Sequence, residues 1–158
     1  MDIFFKTVTW CGSLIILLPV AAVLGLLVVQ RNGIVDVFLI IGGLCGSSFL
    51  SHSLKLFFAR PRPPAEGLLV DMPSDFSFPS AHTAQIFAFT IACGITFSKQ
   101  MPAHMVLPLW LALITLAVIV GYSRIYLQVH YVSDVIAGGL LGIGWLFILH
   151  RILIFFEA

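Results

Sequence analysis

The chain has 158 residues, of which 60% are hydrophobic and 9% charged, with a formal net charge of +1 and a mean hydropathy of +1.10. A soluble domain carries about 25% charged residues, and a water-soluble fold of this length has no interior large enough to bury so much apolar surface. The composition excludes such a fold, and the absence of a basic stripe speaks against a nucleic-acid partner. The expected class is an all-α integral membrane bundle.

A spanning helix needs about 20 apolar residues. Residues 7–29 are predicted as a first span, longer than the roughly 7–15 residues of a signal-peptide core, and closed by Gln30-Arg31-Asn32-Gly33. Residues 34–58 are predicted as a second span, with Asp36 near its start and Ser47, Ser48, Ser51, His52, Ser53 and Lys55 in its second half. A loop rich in proline and charge follows over 59–78. A third helix is expected from about Ser80 to Phe97, a fourth over about 104–122 and a fifth over about 132–156. Five spans make one domain over residues 1–158, with no linker or repeat. Cys11, Cys45 and Cys93 lie in apolar runs without metal-ligand spacing and read as small packing residues. Gly42 with Gly46, and Gly138 with Gly142, form small-xxx-small pairs that let helices approach closely.

Span parity then puts three polar clusters at one end of the bundle, on the side of the N-terminus. The first runs from Lys55 through Arg60-Pro61-Arg62-Pro63; lysine offers a point charge, and arginine a planar fork suited to phosphate oxygens. As a bare pattern it also fits a basic patch against anionic headgroups. The second is Phe78-Pro79-Ser80-Ala81-His82, a helix start with Ser80 in N-cap position and free N–H groups that suit an anion. The third is Ser123-Arg124, five residues, His130, three residues, Asp134. On a helix His130 and Asp134 would share a face, with the carboxylate holding the imidazole; an Arg124–Asp134 ion pair is the other reading.

Taken in order, Lys55…Arg62-Pro63, then Pro79-Ser80-Ala81-His82, then Ser123-Arg124…His130…Asp134 resembles the signature of the type 2 phosphatidic-acid phosphatase superfamily, which includes vanadium haloperoxidases. The resemblance covers residues 55–134. The second motif departs from it, with Ala81 where the family has glycine, a change that bears on backbone freedom. The spacing selects Arg62 rather than Arg60, which is left as a headgroup contact.

The resemblance implies a metal-independent lipid phosphatase without a cofactor. His130 would be the nucleophile, Asp134 its orienting partner and His82 the general acid and base. Lys55, Arg62, Ser80, Ala81 and Arg124 would bind the phosphate. Glu66, Asp71 and Asp75 lie outside the motifs and form no carboxylate cluster suited to magnesium. Phe76, Phe78, Tyr126 and Tyr131 either line the site or anchor at the interface. The implied partners are the bilayer and a phosphorylated lipid: phosphatidic acid, phosphatidylglycerol phosphate, undecaprenyl pyrophosphate or the 1-phosphate of lipid A. A lipid phosphotransferase with the same intermediate is the nearest rival. A non-catalytic transporter or binding protein is the rival of another class. Outside the clusters, Lys6 and Arg60 lie on the site side against Arg31, Lys99 and Arg151 on the other. This positive-inside bias places the site on the outer face of what is expected to be a bacterial inner membrane.

Overall fold

A computed structural model describes residues 1–64 and 69–157 of the chain. Its helices are α1 (Asp2–Val8), α2 (Leu14–Asn32), α3 (Ile34–Phe58), α4 (Ala81–Ser98), α5 (Ala103–Tyr126) and α6 (Val132–Glu157), with a 3₁₀ turn at Thr9–Gly12. Four of these, α3 to α6, are each long and apolar enough to cross a membrane.

The first predicted span is not one straight helix. It is a bent pair, Asp2–Gly12 and Leu14–Gln30, with a 53° angle between them. The break falls at Ser13, whose backbone is extended and whose hydroxyl accepts from Ile15 N–H, so α2 starts anew there. Gly12 allows the close approach at the bend, since a Cβ there would lie 2.6 Å from Val120 Cγ1. Phe5 of α1 packs on Tyr126 at the end of α5, ring centroids 4.2 Å apart, and Tyr126 donates to Asp2. The N-terminal segment therefore lies across one end of the bundle.

The second, third and fifth spans fall where the sequence places them, within a residue. The fourth is a turn longer than expected, which carries Ser123 and Arg124 onto α5 rather than into a loop. The centre of the bundle is α4, packed between α3, α5 and α6 and mostly buried. Its Ala84, Ala88 and Ala92 are wholly inaccessible. By contrast, Phe49, Leu107, Leu111, Leu140, Phe147 and Ile152 of the outer helices are exposed. Cys93 is buried and Cys11 half-buried, whereas Cys45 is exposed.

Both glycine pairs mark helix crossings. A methyl group on Gly138 or Gly142 would overlap the carbonyl oxygens of Ser80 and Ala84 on α4. Gly46 of α3 receives the Trp145 ring, which also donates to the Gly42 carbonyl at 3.0 Å. At the far end, Lys99 beyond α4 pairs with buried Asp36 of α3 at 2.7 Å. The chain then reads as parity requires. The C-terminal ends of α3 and α5 and the N-terminal ends of α4 and α6 lie together at the other end.

Because the neighbour of Gly142 is backbone, it cannot rotate away. Gly142→Ala is expected to lower the thermal midpoint in detergent, at a cost of about 1–3 kcal/mol. Gly144→Ala meets open space and is expected to leave the midpoint unchanged. Thermal unfolding followed by circular dichroism reads both.

Candidate active site

Lys55 lies in the last turn of α3, a charged group that a membrane helix leaves unpartnered only at high cost. It turns inward, 3% exposed, and donates to the Phe76 carbonyl at 2.5 Å and to Asp75 Oδ2 at 2.7 Å. After α3 the chain reverses at Ala59, which takes a left-handed conformation. The loop is clipped at its base where Ser77 N–H donates to the Arg60 carbonyl at 2.9 Å.

Arg62 is fully engaged. Its Nε donates to the Asp75 carbonyl at 2.8 Å, one terminal nitrogen to Asp75 Oδ1 at 2.5 Å, and the other to the Val129 carbonyl at 2.6 Å. That last nitrogen also lies 3.4 Å from His130 Nε2. Arg124 is buried at the end of α5, with one terminal nitrogen on Thr9 Oγ1 at 2.7 Å and its Nε without a partner.

His130 is not on a helix. It sits in the turn between α5 and α6, where Gln128 is left-handed and the Arg124 carbonyl accepts from the N–H groups of Val129 and His130. The expected pairing with Asp134 survives: His130 Nδ1 is 3.4 Å from Asp134 Oδ2. Asp134 opens α6 and is wholly inaccessible. Its Oδ2 also accepts from Tyr131 N–H at 2.9 Å and from the Ser77 hydroxyl. Its cation is Arg60, at 2.7 Å, not Arg124. Arg60 further donates to Ser133 and stacks 4.1 Å over Tyr131, so it braces the site rather than reaching for a headgroup.

These groups surround a cavity of about 220 Å³ lined by Lys55, Arg62, Ala81, His82, Arg124 and His130, with Asp134 behind the imidazole. Six of the eight predicted site residues thus share one wall. Asp134 and Ser80 are the two outside the lining, and the Ser80 hydroxyl is turned elsewhere. It is fully buried and accepts from Thr83 at 3.0 Å, outside the lining and without a side-chain cap. Ala81 is not in the left-handed region, so its methyl group costs no backbone strain in place of glycine. Phe76, Phe78, Tyr126 and Tyr131 are absent from the lining.

Asp75, set outside the motifs by sequence, is in the site, and so are Ser13, His52 and Gln85. His52 and Gln85 carried a signal, an imidazole and an amide within largely apolar spans; Gln85 donates to Ser48 at 3.0 Å. Of the other acidic residues, Asp71 is exposed and Glu66 lies outside the described residues. No group of three His, Cys, Asp or Glu with metal-binding geometry occurs among the described residues.

Two groups here lie outside the spans and titrate abnormally. Partial burial pushes the Asp75 carboxyl up, but the hydrogen bonds and charges of Lys55 and Arg62 prevail and hold it at about 2. Burial disfavours the His130 imidazolium most; Asp134 opposes this, while Arg124, Arg62 and Lys55 add to it, and the value falls to about 4. His130 is therefore neutral at pH 7. With Nδ1–H directed at Asp134, its Nε2 lone pair faces the cations.

A cationic, histidine-bearing cavity at one end of an apolar helical bundle defines an integral membrane protein with a site for an anionic group. Residues 36–156 match the model of the PAP2 superfamily, and the chain belongs to it. It is 33% identical over 129 residues to an undecaprenyl-diphosphatase of Sulfolobus acidocaldarius, covering 79% of this chain and 57% of that one. It is 30% identical over 139 residues to phosphatidylglycerophosphatase B of Bacillus subtilis, covering 86% and 67%. The chain spans about half to two thirds of the length of the curated relatives it matches. The crystal structure of a transmembrane PAP2-type phosphatidylglycerolphosphate phosphatase from Bacillus subtilis superposes with a TM-score of 0.88 at 27% identity, covering 96% of this chain and 75% of that one.

The Arg60–Asp134 bond links the loop to α6 and can be measured as a coupling. A double-mutant cycle with Arg60→Ala and Asp134→Asn is expected to give a thermal-stability coupling of roughly 0.5–3 kcal/mol. Additive effects of the two changes would show the pair to be independent.

Proposed function

We propose that the protein is a lipid phosphatase that hydrolyses a terminal phosphate from a membrane lipid through a phospho-histidine. The observation that carries this reading is the neutral His130, backed by Asp134 at 3.4 Å, with Nε2 beside Arg62 in a cavity also lined by Lys55, Arg124 and His82. Membership of the PAP2 superfamily and the phosphatase activities for which those relatives are named support it.

In the proposed reaction, His130 Nε2 attacks phosphorus, forming a P–N bond as the P–O bond to the lipid breaks. His82 gives its proton to the departing oxygen. Asp134 stabilises the charge that develops on the His130 ring. Water then attacks the phospho-histidine, His82 takes its proton, and phosphate leaves with His130 neutral again. Lys55, Arg62 and Arg124 hold the non-bridging oxygens, together with the first-turn N–H groups at Ala81 and His82. Ser80 fixes the start of α4 through its N–H bond to the Asp134 carbonyl, at 3.0 Å, rather than touching phosphate. No step requires a metal.

The substrate class is a lipid phosphomonoester or diphosphate of the phosphatidic acid, phosphatidylglycerol phosphate, undecaprenyl pyrophosphate or lipid A type. Its tail stays in the bilayer while the phosphate enters at headgroup depth. The charge asymmetry noted above favours a site on the outer face of an inner membrane. Labelling of Asp71→Cys but not Lys99→Cys by an impermeant reagent added outside intact cells is the expected result, and the reverse pattern would invert the orientation.

Wild-type protein in detergent with a chelator should release phosphate from a single purified lipid phosphate. His130→Ala should lose roughly a thousandfold or more of that rate. Equal release by both would end the proposed mechanism; release only when a second lipid is supplied would make the protein a transferase. Because His130 is held at about 4, the neutral nucleophile persists well below the usual histidine range. After correction for the second ionisation of the substrate near pH 6, the acid limb of kcat/KM assigned to His130 is expected near pH 4. A limb near 6.5 would place His130 in an ordinary aqueous setting.

A further inference from the structure

The anion seat already holds an anion that belongs to the chain. Asp75 places Oδ2 on Lys55 at 2.7 Å and Oδ1 on Arg62 at 2.5 Å. Each carboxylate oxygen takes one of two cations that the phosphate oxygens would need. Its backbone is separately fixed by Arg62 Nε, whereas its side chain is 44% exposed. The carboxylate can therefore turn into water while the loop stays attached. Arg124 also lines the cavity, and its Nε is buried without a partner.

We propose that Asp75 is a specificity-determining residue: an internal anion that keeps Lys55 and Arg62 from singly charged phosphodiesters and yields them to a doubly charged terminal phosphate. The inference rests on the phosphatase reading above. A site at headgroup depth is surrounded by the phosphodiesters of the bilayer, which vastly outnumber any substrate. Each carries one negative charge, the same as Asp75, so exchanging one for the other yields no Coulombic gain and costs the ordering of the newcomer. A phosphomonoester, or the terminal phosphate of a diphosphate, carries close to two charges above its second pKa of about 6. That second charge makes displacement favourable. Lys55, Arg62 and Arg124 together carry three positive charges, so once Asp75 has turned out a dianion neutralises two of them where a phosphodiester neutralises one. This is selection against a competing class and not only attraction of the right one.

The test uses the full chain in uncharged detergent, with inorganic phosphate and dimethyl phosphate as probes, titrated calorimetrically at about pH 7.5, above that second pKa. Wild type should bind phosphate at least about tenfold more tightly than dimethyl phosphate. Asp75→Asn keeps the shape and removes the charge. It should tighten dimethyl phosphate more than phosphate, narrowing the ratio by about tenfold, and Asp75→Ala should move the ratio the same way. In turnover, both variants should acquire competitive inhibition by short-chain phosphatidylglycerol, seen as a rise in KM with kcat unchanged by the inhibitor. Weaker binding of both probes would show that Asp75 merely props up its cations. An unchanged ratio, or equal tightening of both, would show that it blocks without selecting; each of these results overturns the proposal. Binding selectivity that behaves as expected in a protein releasing no phosphate from any lipid would sink the phosphatase reading alone.

Discussion

A carboxylate with no solvent contact has to find its partners within the protein, and Asp134 draws them from separate pieces of chain. Arg60 comes from the turn after α3, Ser77 from the end of the loop, and Tyr131 and His130 from the approach to α6. The Asp134 carbonyl also receives the N–H of Ser80, where α4 is about to start. One residue thus fixes the loop base, the first turn of α4 and the imidazole relative to one another. Removing one partner of a buried charge costs several kcal/mol, chiefly because the other is left unpaired. In this chain the penalty falls on the geometry of the site.

That network needs α4 and α6 very close, and the sequence provides the closeness with glycine. At Gly138 and Gly142 the α6 backbone rests on the carbonyl oxygens of Ser80 and Ala84. Lipid tails are as apolar as leucine, so burial of hydrocarbon gives membrane helices little reason to associate; shape and interhelical hydrogen bonds do the work instead. The Trp145–Gly42 bond on the other flank of α6 serves the same end with a hydrogen bond in place of a small residue.

Much of the fold was legible because length and hydropathy alone decide a membrane helix. The site was legible because its motif residues are chemically out of place in apolar surroundings. What escaped the reading has physical reasons. The bend at Ser13 lies within an unbroken apolar run, and only its packing against α5 reveals it. The partner of Asp134 could not be chosen between Arg60, Arg62 and Arg124 by spacing, because the loop's path decides which guanidinium arrives. Asp75 carries no signal, since a loop aspartate is ordinarily solvated. Ser80 was read from its N-cap position, and spacing gave no sign that Thr83 would donate to its hydroxyl. His130 falls between the fourth and fifth predicted spans, and in the structure it follows the left-handed Gln128 in the turn after α5.

The ion pair between Asp36 and Lys99 lies at the opposite end from every group discussed as chemical. It has a mechanical consequence. With α3 and α4 tied there, and joined again near the site by the Gln85–Ser48 bond, sliding of one helix along the other would break both links. Lys55 and His82 are therefore held level, like two jaws of a gauge set at a fixed opening. Any adjustment of the cavity's width then falls to the side chains that line it. The Asp36–Lys99 tie thus acts on the cavity from the far end of the bundle without lining it.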